Sequence, residues 1–332
     1  MDAVTVYFVL VEVMGKIYYI LNSGSLKKIN NSIVFKNEKE KINIPIETVD
    51  EIIIYGNVNL TTPVIKLLSD KKIPIIIYSE HGWYISSIYP ENYLQSGYVL
   101  LRQSKYCSDI RLRIKIASKF VLAAAMNMKY ICRRHNLGSL RIPKSMIQNA
   151  KSISELMGIE GNIHIEYLNL IDKKLPEKYK IINRTRRPPK NYTNSMMSYL
   201  YSVLYGVIAA EIFSTHLSPE LSFLHEPSER RNSLSLDVAE VFRPIFCDDV
   251  ILKLINLKII KESDFIDENG VYLNNNGKRK ILEEFETKLR KTVYIKNLGR
   301  KVSNRTLIRI ELYKIEKQIM EDKEYKPYRG GT

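Results

Sequence analysis

The sequence predicts an α+β protein, with a small N-terminal β-rich domain followed by a larger all-α C-terminal domain. Three observations carry this. Residues 2 to about 90 hold short β-branched and aromatic runs separated by Gly, Pro, Asn and Ser. From about Leu100 onward the apolar residues recur at helical spacing. The change falls near Pro90-Glu91-Asn92. The chain therefore divides into a β-rich domain over residues 1–90, a linker over 91–100 and a helical domain over 101–332.

In the first part, Val4–Val11 and Lys16–Leu21 read as strands, the second ended by Asn22-Ser23-Gly24-Ser25. Ser32–Phe35, Ile42–Ile46 and Val49–Tyr55 follow, the last stopped by Gly56. Thr61-Thr62-Pro63 begins a short helix, a capping threonine with proline in the first turn, and Val64, Leu67 and Leu68 form its apolar face. Pro74–Tyr78 and Gly82–Ile85 complete the strands. With His81 as its only histidine and its acids scattered, this part suits packing, dimer formation and partner contacts. The helical part begins with a long segment through Ile110, Ile114, Phe120 and Ala124 to Arg133-Arg134-His135, stopped at Gly138. A second helix runs from about Ile147 to Ile171. A Pro- and Arg-rich loop carries Arg184, Arg186 and Arg187. An apolar helix spans from Thr193 or Asn194 to about His216. A helix through Val250, Leu254 and Leu257 leads to a turn and short extended piece at Gly270–Asn274. Two basic helices, about Gly277–Val293 and Ser303–Met320, precede a tail over Tyr325–Gly331 that reads as mobile.

Composition narrows the function. The 332 residues are 45% hydrophobic and 26% charged, the balance of a folded protein rather than a disordered one. Lys and Arg number 51 against 36 Asp and Glu, a net charge of +15 that points to a polyanionic partner, nucleic acid before membrane. The three cysteines, Cys107, Cys132 and Cys247, lie far apart with no C-x-x-C spacing. They suit a reducing cytoplasm and exclude a disulfide framework or a zinc knuckle. No apolar run reaches ~18 residues and no signal-peptide pattern opens the chain, so the expected location is cytoplasmic, with no membrane.

The chemistry concentrates in Leu221–Pro244. His225 ends a short apolar run, a charged turn with Arg230 and Arg231 follows, and Asp237 and Glu240 lie on an apolar segment. If that segment is helical, residues three apart share a face, so both carboxylates point the same way. A lone histidine is more often a hydrogen-bonded core group than a ligand. Carboxylates on a mostly apolar helix, however, need a partner or a cation. Glu160 adds a third candidate, in Met157-Gly158-Ile159-Glu160-Gly161. Glycines inside a helix suit either close helix packing or the approach of a ligand. Neither a G-x-S-x-G elbow nor a G-x-x-x-x-G-K-[ST] phosphate loop is present. The clusters at Arg184–Lys190, Arg230-Arg231 and Arg300-Lys301 with Arg305 suit phosphate contacts.

Gly158-Ile159-Glu160-Gly161, Ser222-Phe223-Leu224-His225-Glu226-Pro227 and Ser233–Pro244 resemble motifs of the CRISPR-associated integrase/endonuclease family, Cas1. The histidine segment is most similar to the branch found in type I subtype B systems. Ile44–Ile52, Tyr55–Val58, Leu298–Val302 and Glu324–Arg329 extend the resemblance over nearly the whole chain. It implies a metal-dependent DNA endonuclease and integrase that inserts short foreign DNA as new spacers into a CRISPR array by transesterification. It implies Glu160, His225 and Glu240 as ligands of Mg²⁺ or Mn²⁺, Asp237 as a supporting acid, and a C-terminal domain that holds the active site. Its implied partners are double-stranded DNA (incoming fragment and repeat array), a second copy of the chain, and the small Cas2 protein. Arg184, Arg186, Arg187, Arg230 and Arg231 are the candidate phosphate contacts. Two rival readings are a non-catalytic nucleic-acid-binding scaffold, its acids paired internally with Arg230 or Arg243, and a stand-alone repair nuclease for branched DNA.

Overall fold

The computed structural model describes residues 6–7, 16–80, 82, 84–90, 96–227, 232–295 and 298–331. The chain divides into two compact units, Met1–Tyr93 and Leu94–Thr332.

The N-terminal unit holds, in chain order, β1 (Val6–Tyr7), β2 (Lys16–Ile20), β3 (Gly24–Ile29), β4 (Ser32–Lys36), β5 (Lys41–Pro45), β6 (Val49–Ile54), β7 (Val58–Leu60), α1 (Thr62–Asp70), β8 (Ile75–Tyr78) and β9 (Tyr84–Ile88). They form a five-stranded sheet, β1-β2-β6-β8-β9, and a four-stranded sheet, β5-β4-β3-β7. β2, β6 and β8 are parallel, and β1 and β9 close the first sheet antiparallel at its two edges. Buried parallel strands read as continuous apolar runs, which is why Ile52-Ile53-Ile54 and Ile75-Ile76 lack alternation. Tyr18, Ile20, Leu26, Phe35 and Val64 join Ile52, Ile54 and Ile75 in one core.

β3 and β7 are the strands of this unit that sequence reasoning missed, and β3 shows why. Of its six residues only Leu26 is buried, and Lys27-Lys28 give it a polar face, so its residues resemble a turn. The expected strand Val4–Val11 lies outside the described residues except at Val6–Tyr7, as does His81.

The C-terminal unit contains α2 (Gly97–Ser108), α3 (Ile110–Arg134), α4 (Lys144–Asn149), α5 (Ile153–Lys174), α6 (Tyr192–Phe213), α7 (Ser233–Phe242) and α8 (Asp249–Asn256). Beyond these lie β10 (Phe265–Asp267), β11 (Val271–Leu273), α9 (Asn275–Arg290), β12 (Thr292–Ile295), β13 (Arg300–Ser303) and α10 (Asn304–Glu321). It is a helical unit with two small antiparallel strand pairs, β10–β11 and β12–β13, rather than strictly all-α. Residues 97–100, expected in a linker, already belong to α2, whose Ser96 hydroxyl caps the Val99 N–H. The long segment expected through Ile110 is two helices, because the Asp109 carboxylate accepts from Arg111 N and Leu112 N and restarts the helix. The helix expected over 147–171 is likewise α4 and α5, with Ser152 capping the second.

α6 is the spine of this unit. Its length and mean hydropathy of 1.4 would allow it to cross a membrane, yet 78% of its most apolar window is buried inside the fold. The tail, expected to be mobile, is packed instead: Tyr325 is 1% exposed and its hydroxyl donates to Glu311 Oε1 at 2.6 Å.

Gly56 sits where two stretches of backbone in the β unit approach closely. A Cβ there would lie 2.4 Å from the carbonyl carbon of Asn22. Gly56→Ala should therefore destabilise the protein by about 1–3 kcal/mol, as overpacking does. Urea unfolding checks this, and an unchanged midpoint would refute it.

Candidate functional site

Three elements of the helical unit carry the predicted residues. α5 carries Glu160, α7 carries Asp237 and Glu240, and the loop before α7 carries His225.

The His225 loop is shaped by Asp237. This carboxylate is fully buried, and its oxygens accept from the main-chain N–H of Phe223 at 2.6 Å, Leu224 at 2.9 Å and His225 at 2.9 Å. Its Oδ1 also lies 2.8 Å from His225 Nδ1. A carboxylate only accepts when ionised, so Nδ1 carries the hydrogen, and whenever the ring is neutral Nε2 is the nitrogen with the lone pair. Arg113 of α3 grips the same loop from another side. Its Nε donates to the Phe223 carbonyl at 2.8 Å and its Nη2 to the His225 carbonyl at 3.1 Å. Ser222 Oγ donates to the His225 carbonyl at 2.8 Å. The imidazole itself remains about a quarter exposed, with a side-chain accessibility of 26%. Asp237 is thus a positioning group for His225.

Glu240 follows one turn after Asp237 on α7. Its carboxylate is hydrogen-bonded to the Arg243 guanidinium, and Glu160 reaches the same Nη2 at 3.9 Å. One buried cation therefore gathers the carboxylates of α5 and α7. Arg243 begins a π turn, Arg243–Asp248, that joins α7 to α8. Pro244 has no N–H to give the carbonyl four residues back, which widens the helix at this point. At the far end of the turn, Asp248 accepts from Tyr201 at 2.6 Å and Tyr167 at 3.0 Å. The Tyr201 ring also faces Arg243 at 5.1 Å and Arg184 at 5.8 Å.

Burial works against the charge of Arg243, but surrounding groups, Glu160 and Asp248 among them, outweigh it and keep the guanidinium charged. His164 lies one turn after Glu160. Burial, with the charges of Arg243, Arg184 and Arg186, pushes its imidazole down to about 3, so it is neutral near pH 7. Gly158 and Gly161 face open space, and a Cβ at either would meet nothing within 4 Å. They do not serve close helix packing, and they leave the surface beside Glu160 accessible.

Of the predicted residues, the fold brings Glu160 and Glu240 together, and ties His225 to α7 one turn before Glu240. Two carboxylates and an oriented imidazole are donor types that fit a hard divalent cation. Among the described residues, however, no three acidic, His or Cys side chains stand close enough to hold one, and Arg243 occupies the carboxylates. Arg184 does not face outward as a phosphate contact would. It folds back onto α6, with Nη1 3.2 Å from both Asn194 Oδ1 and Ser198 Oγ. Arg186 and Arg187 are exposed, and Arg230 and Arg231 lie outside the described residues. Arg305 is committed to the buried Glu211 at 2.7 Å, while Arg300 and Lys301 are exposed on β13. Sequence reasoning missed Arg113 and His164. A signal for Arg113 existed: it falls in register with Ile116, Ala117 and Phe120 on the buried face of α3.

Acidic oxygens and one oriented imidazole on a strongly basic chain are the equipment of a nuclease. Comparison with known proteins identifies which kind. The family described as CRISPR associated protein Cas1 matches residues 18–287. A CRISPR-associated endonuclease Cas1 of Thermodesulfovibrio yellowstonii is 39% identical over 96% of this chain and 100% of its own length. The structure of a Cas1 protein from Thermotoga maritima superposes with a TM-score of 0.85 at 36% identity, covering 95% of this chain and 100% of that one. A casposase bound to integration product shares the fold at a TM-score of 0.83 and 23% identity, covering 95% and 94%. The chain belongs to the Cas1 family of CRISPR-associated endonucleases.

Two outcomes follow from the site geometry. Asp237→Asn should weaken the preference for the Nδ1–H tautomer of His225, because one amide oxygen cannot accept from the ring and all three loop N–H groups, and the amide NH2 cannot accept at all. Long-range ¹H–¹⁵N spectra of the ring nitrogens read this directly, and an unaltered tautomer would contradict the assignment. The second concerns pH. Burial pushes the Asp248 carboxyl up to about 6, against hydrogen bonds from Tyr201 and Tyr167 and the charge of Arg243. The folded protein then holds this proton more tightly than the unfolded chain, where the group titrates near ~3.9. Its contribution to stability is full at low pH and declines as pH rises through about 6. Asp248→Asn should remove that decline. Parallel unfolding curves for wild type and variant across the window would count against it.

Proposed function

We propose that this protein is the adaptation nuclease and integrase of a CRISPR system, joining short DNA fragments into the repeat array. The observation that carries the reading is the coupling of three groups. Asp237 aims His225 one turn from Glu240, and Glu240 shares the Arg243 guanidinium with Glu160. In this reading Glu160, His225 and Glu240 hold Mg²⁺ or Mn²⁺, and a bound ion supplies Lewis-acid polarisation of the scissile phosphate.

The chain's own residues do the rest. Asp237 keeps the Nδ1 proton in place, so that Nε2 stays available as a donor. Arg243, released in part from Glu240, adds positive charge where negative charge develops on the phosphate. The exposed Arg186 and Arg187, with Arg230 and Arg231, contact the DNA backbone. The 3′-hydroxyl of an incoming fragment attacks the phosphate, and the strand's own 3′-oxygen leaves. One phosphodiester replaces another, so no nucleotide hydrolysis is needed. With water as attacking group the same site cleaves DNA. The working assembly pairs two copies of this chain with the small Cas2 protein on double-stranded DNA, in the cytoplasm.

The Glu240–Arg243 pair also favours a second reading, a DNA-binding scaffold whose acids serve only internal pairing. One experiment separates the two. Wild-type protein should nick and join branched and double-stranded DNA in the presence of Mn²⁺ or Mg²⁺ and stop on addition of chelator. Glu160→Ala, His225→Ala and Glu240→Ala should each lower the rate by roughly 10²-fold or more while circular dichroism stays unchanged. Full activity in a well-folded His225→Ala protein would sink the metal assignment.

A further inference from the structure

The last nine described residues, 323–331, form a strap across the back of the site. α10 ends at Glu321, and Asp322, which caps it, takes a left-handed conformation with φ of 52°. The chain then turns back along α3 and α10. Lys119 of α3 and Glu324 pair at 2.5 Å. Tyr325 is buried: its N–H donates to Gln318 Oε1 at 2.9 Å, and its ring meets Phe120 edge-on at 5.5 Å. Phe120 in turn lies 6.4 Å from Phe223, whose N–H is one of those held by Asp237.

The strap's second half reaches α7. The Tyr328 N–H donates to Glu311 Oε1 at 3.0 Å, and its ring stacks on Phe242 at 6.0 Å and 24°. Its carbonyl accepts from Asn127 Nδ2 at 3.2 Å. The same Nδ2 donates to the Val241 carbonyl at 2.7 Å, and Asn127 Oδ1 accepts from Gly330 N at 2.8 Å. Asn127 is fully buried, so each of its polar contacts is to protein. Gly330 packs on the Tyr130 ring, where a Cβ would come within 2.9 Å.

Val241 and Phe242 are the two residues that follow Glu240. They stand where α7 opens into the π turn and the ordinary i→i+4 ladder is broken. There the main chain needs outside partners, and Asn127 supplies one to the Val241 carbonyl while Tyr328 covers the Phe242 ring.

We infer that the strap, through Tyr328 and Asn127, is the positioning device that fixes Glu240 and the start of the π turn for catalysis. The inference rests on the nuclease reading above. Neither side chain touches the reacting groups, so both are positioning residues. Misplacing a reacting group by about 1 Å is enough for a ~100-fold loss.

The test compares full-length wild type, Tyr328→Ala, Tyr328→Phe and Asn127→Asp. Four readouts are taken: Mn²⁺-dependent cleavage, DNA affinity, half-saturating Mn²⁺, and amide exchange in the segment 238–248. Tyr328→Ala should cut the cleavage rate about 10- to 100-fold and raise half-saturating Mn²⁺. DNA affinity should stay within about twofold, because the strap makes no phosphate contact in this scheme. Tyr328→Phe keeps the ring and should behave as wild type. Asn127→Asp keeps the acceptor for Gly330 but loses the Nδ2 donor, and should reproduce the Tyr328→Ala defect. Both impaired variants should exchange faster over 238–248. Wild-type rates and Mn²⁺ dependence in Tyr328→Ala and Asn127→Asp would overturn the inference. So would parallel loss of DNA affinity and cleavage. If wild type itself does not cleave, the nuclease reading fails first, and the strap loses its catalytic meaning with it.

Discussion

The C-terminal unit depends on a buried carboxylate. Asp237 is fully enclosed, and its oxygens answer three main-chain N–H groups and the His225 ring. A buried charge in an apolar setting is tolerated only when it is fully hydrogen-bonded. Here that requirement fixes the loop. The chain at Phe223–His225 must curl around the carboxylate, or several buried groups lose their partners at ~1–3 kcal/mol each. Arg113 completes the arrangement by answering the carbonyls of the same loop. The position of His225 therefore follows from satisfying Asp237.

Arg243 plays the matching part for the acids. It is buried beside Glu240, Glu160 and Tyr201. Two carboxylates against one guanidinium leave a formal surplus of negative charge. A guanidinium placed between acids keeps α5 and α7 from repelling each other. Tyr201, Tyr167 and Asp248 brace the π turn from behind.

Much of this was legible in the sequence, for different reasons at different places. The β-to-α change near residue 90 was visible because periodicity itself changes. Asp237 and Glu240 were visible because charge on the apolar segment Leu234–Val241 demands an explanation. Glu160 stood out through Gly158 and Gly161, although spacing left packing and ligand access equally open. The open surroundings of both glycines favour access. The meeting of α5 with α7 was not legible, because it depends on Arg243 crossing between helices that are distant in sequence. The role of Arg184 was misread for a related reason. A cluster of arginines looks uniformly exposed in sequence, but a neighbouring helix with Asn194 and Ser198 offers one of them an inward partner. The tail was misread as mobile because its polar residues find partners on α10 that only the fold supplies, as Glu311 shows.

The π turn has one more consequence, for anyone comparing or redesigning this chain. Ser233–Asn256 is nearly continuous helix, yet no single helical wheel describes it. The wider turn at Arg243–Asp248 resets the angular phase, so faces assigned on α7 cannot be carried across to α8. Deleting one residue there would change that phase, and Pro244 would still deny the ladder an N–H. The deletion would also rotate Asp249 and everything after it away from their present neighbours, among them Arg134 and Lys288. The irregularity is what lets one nearly unbroken rod hold two sets of partners that face different ways.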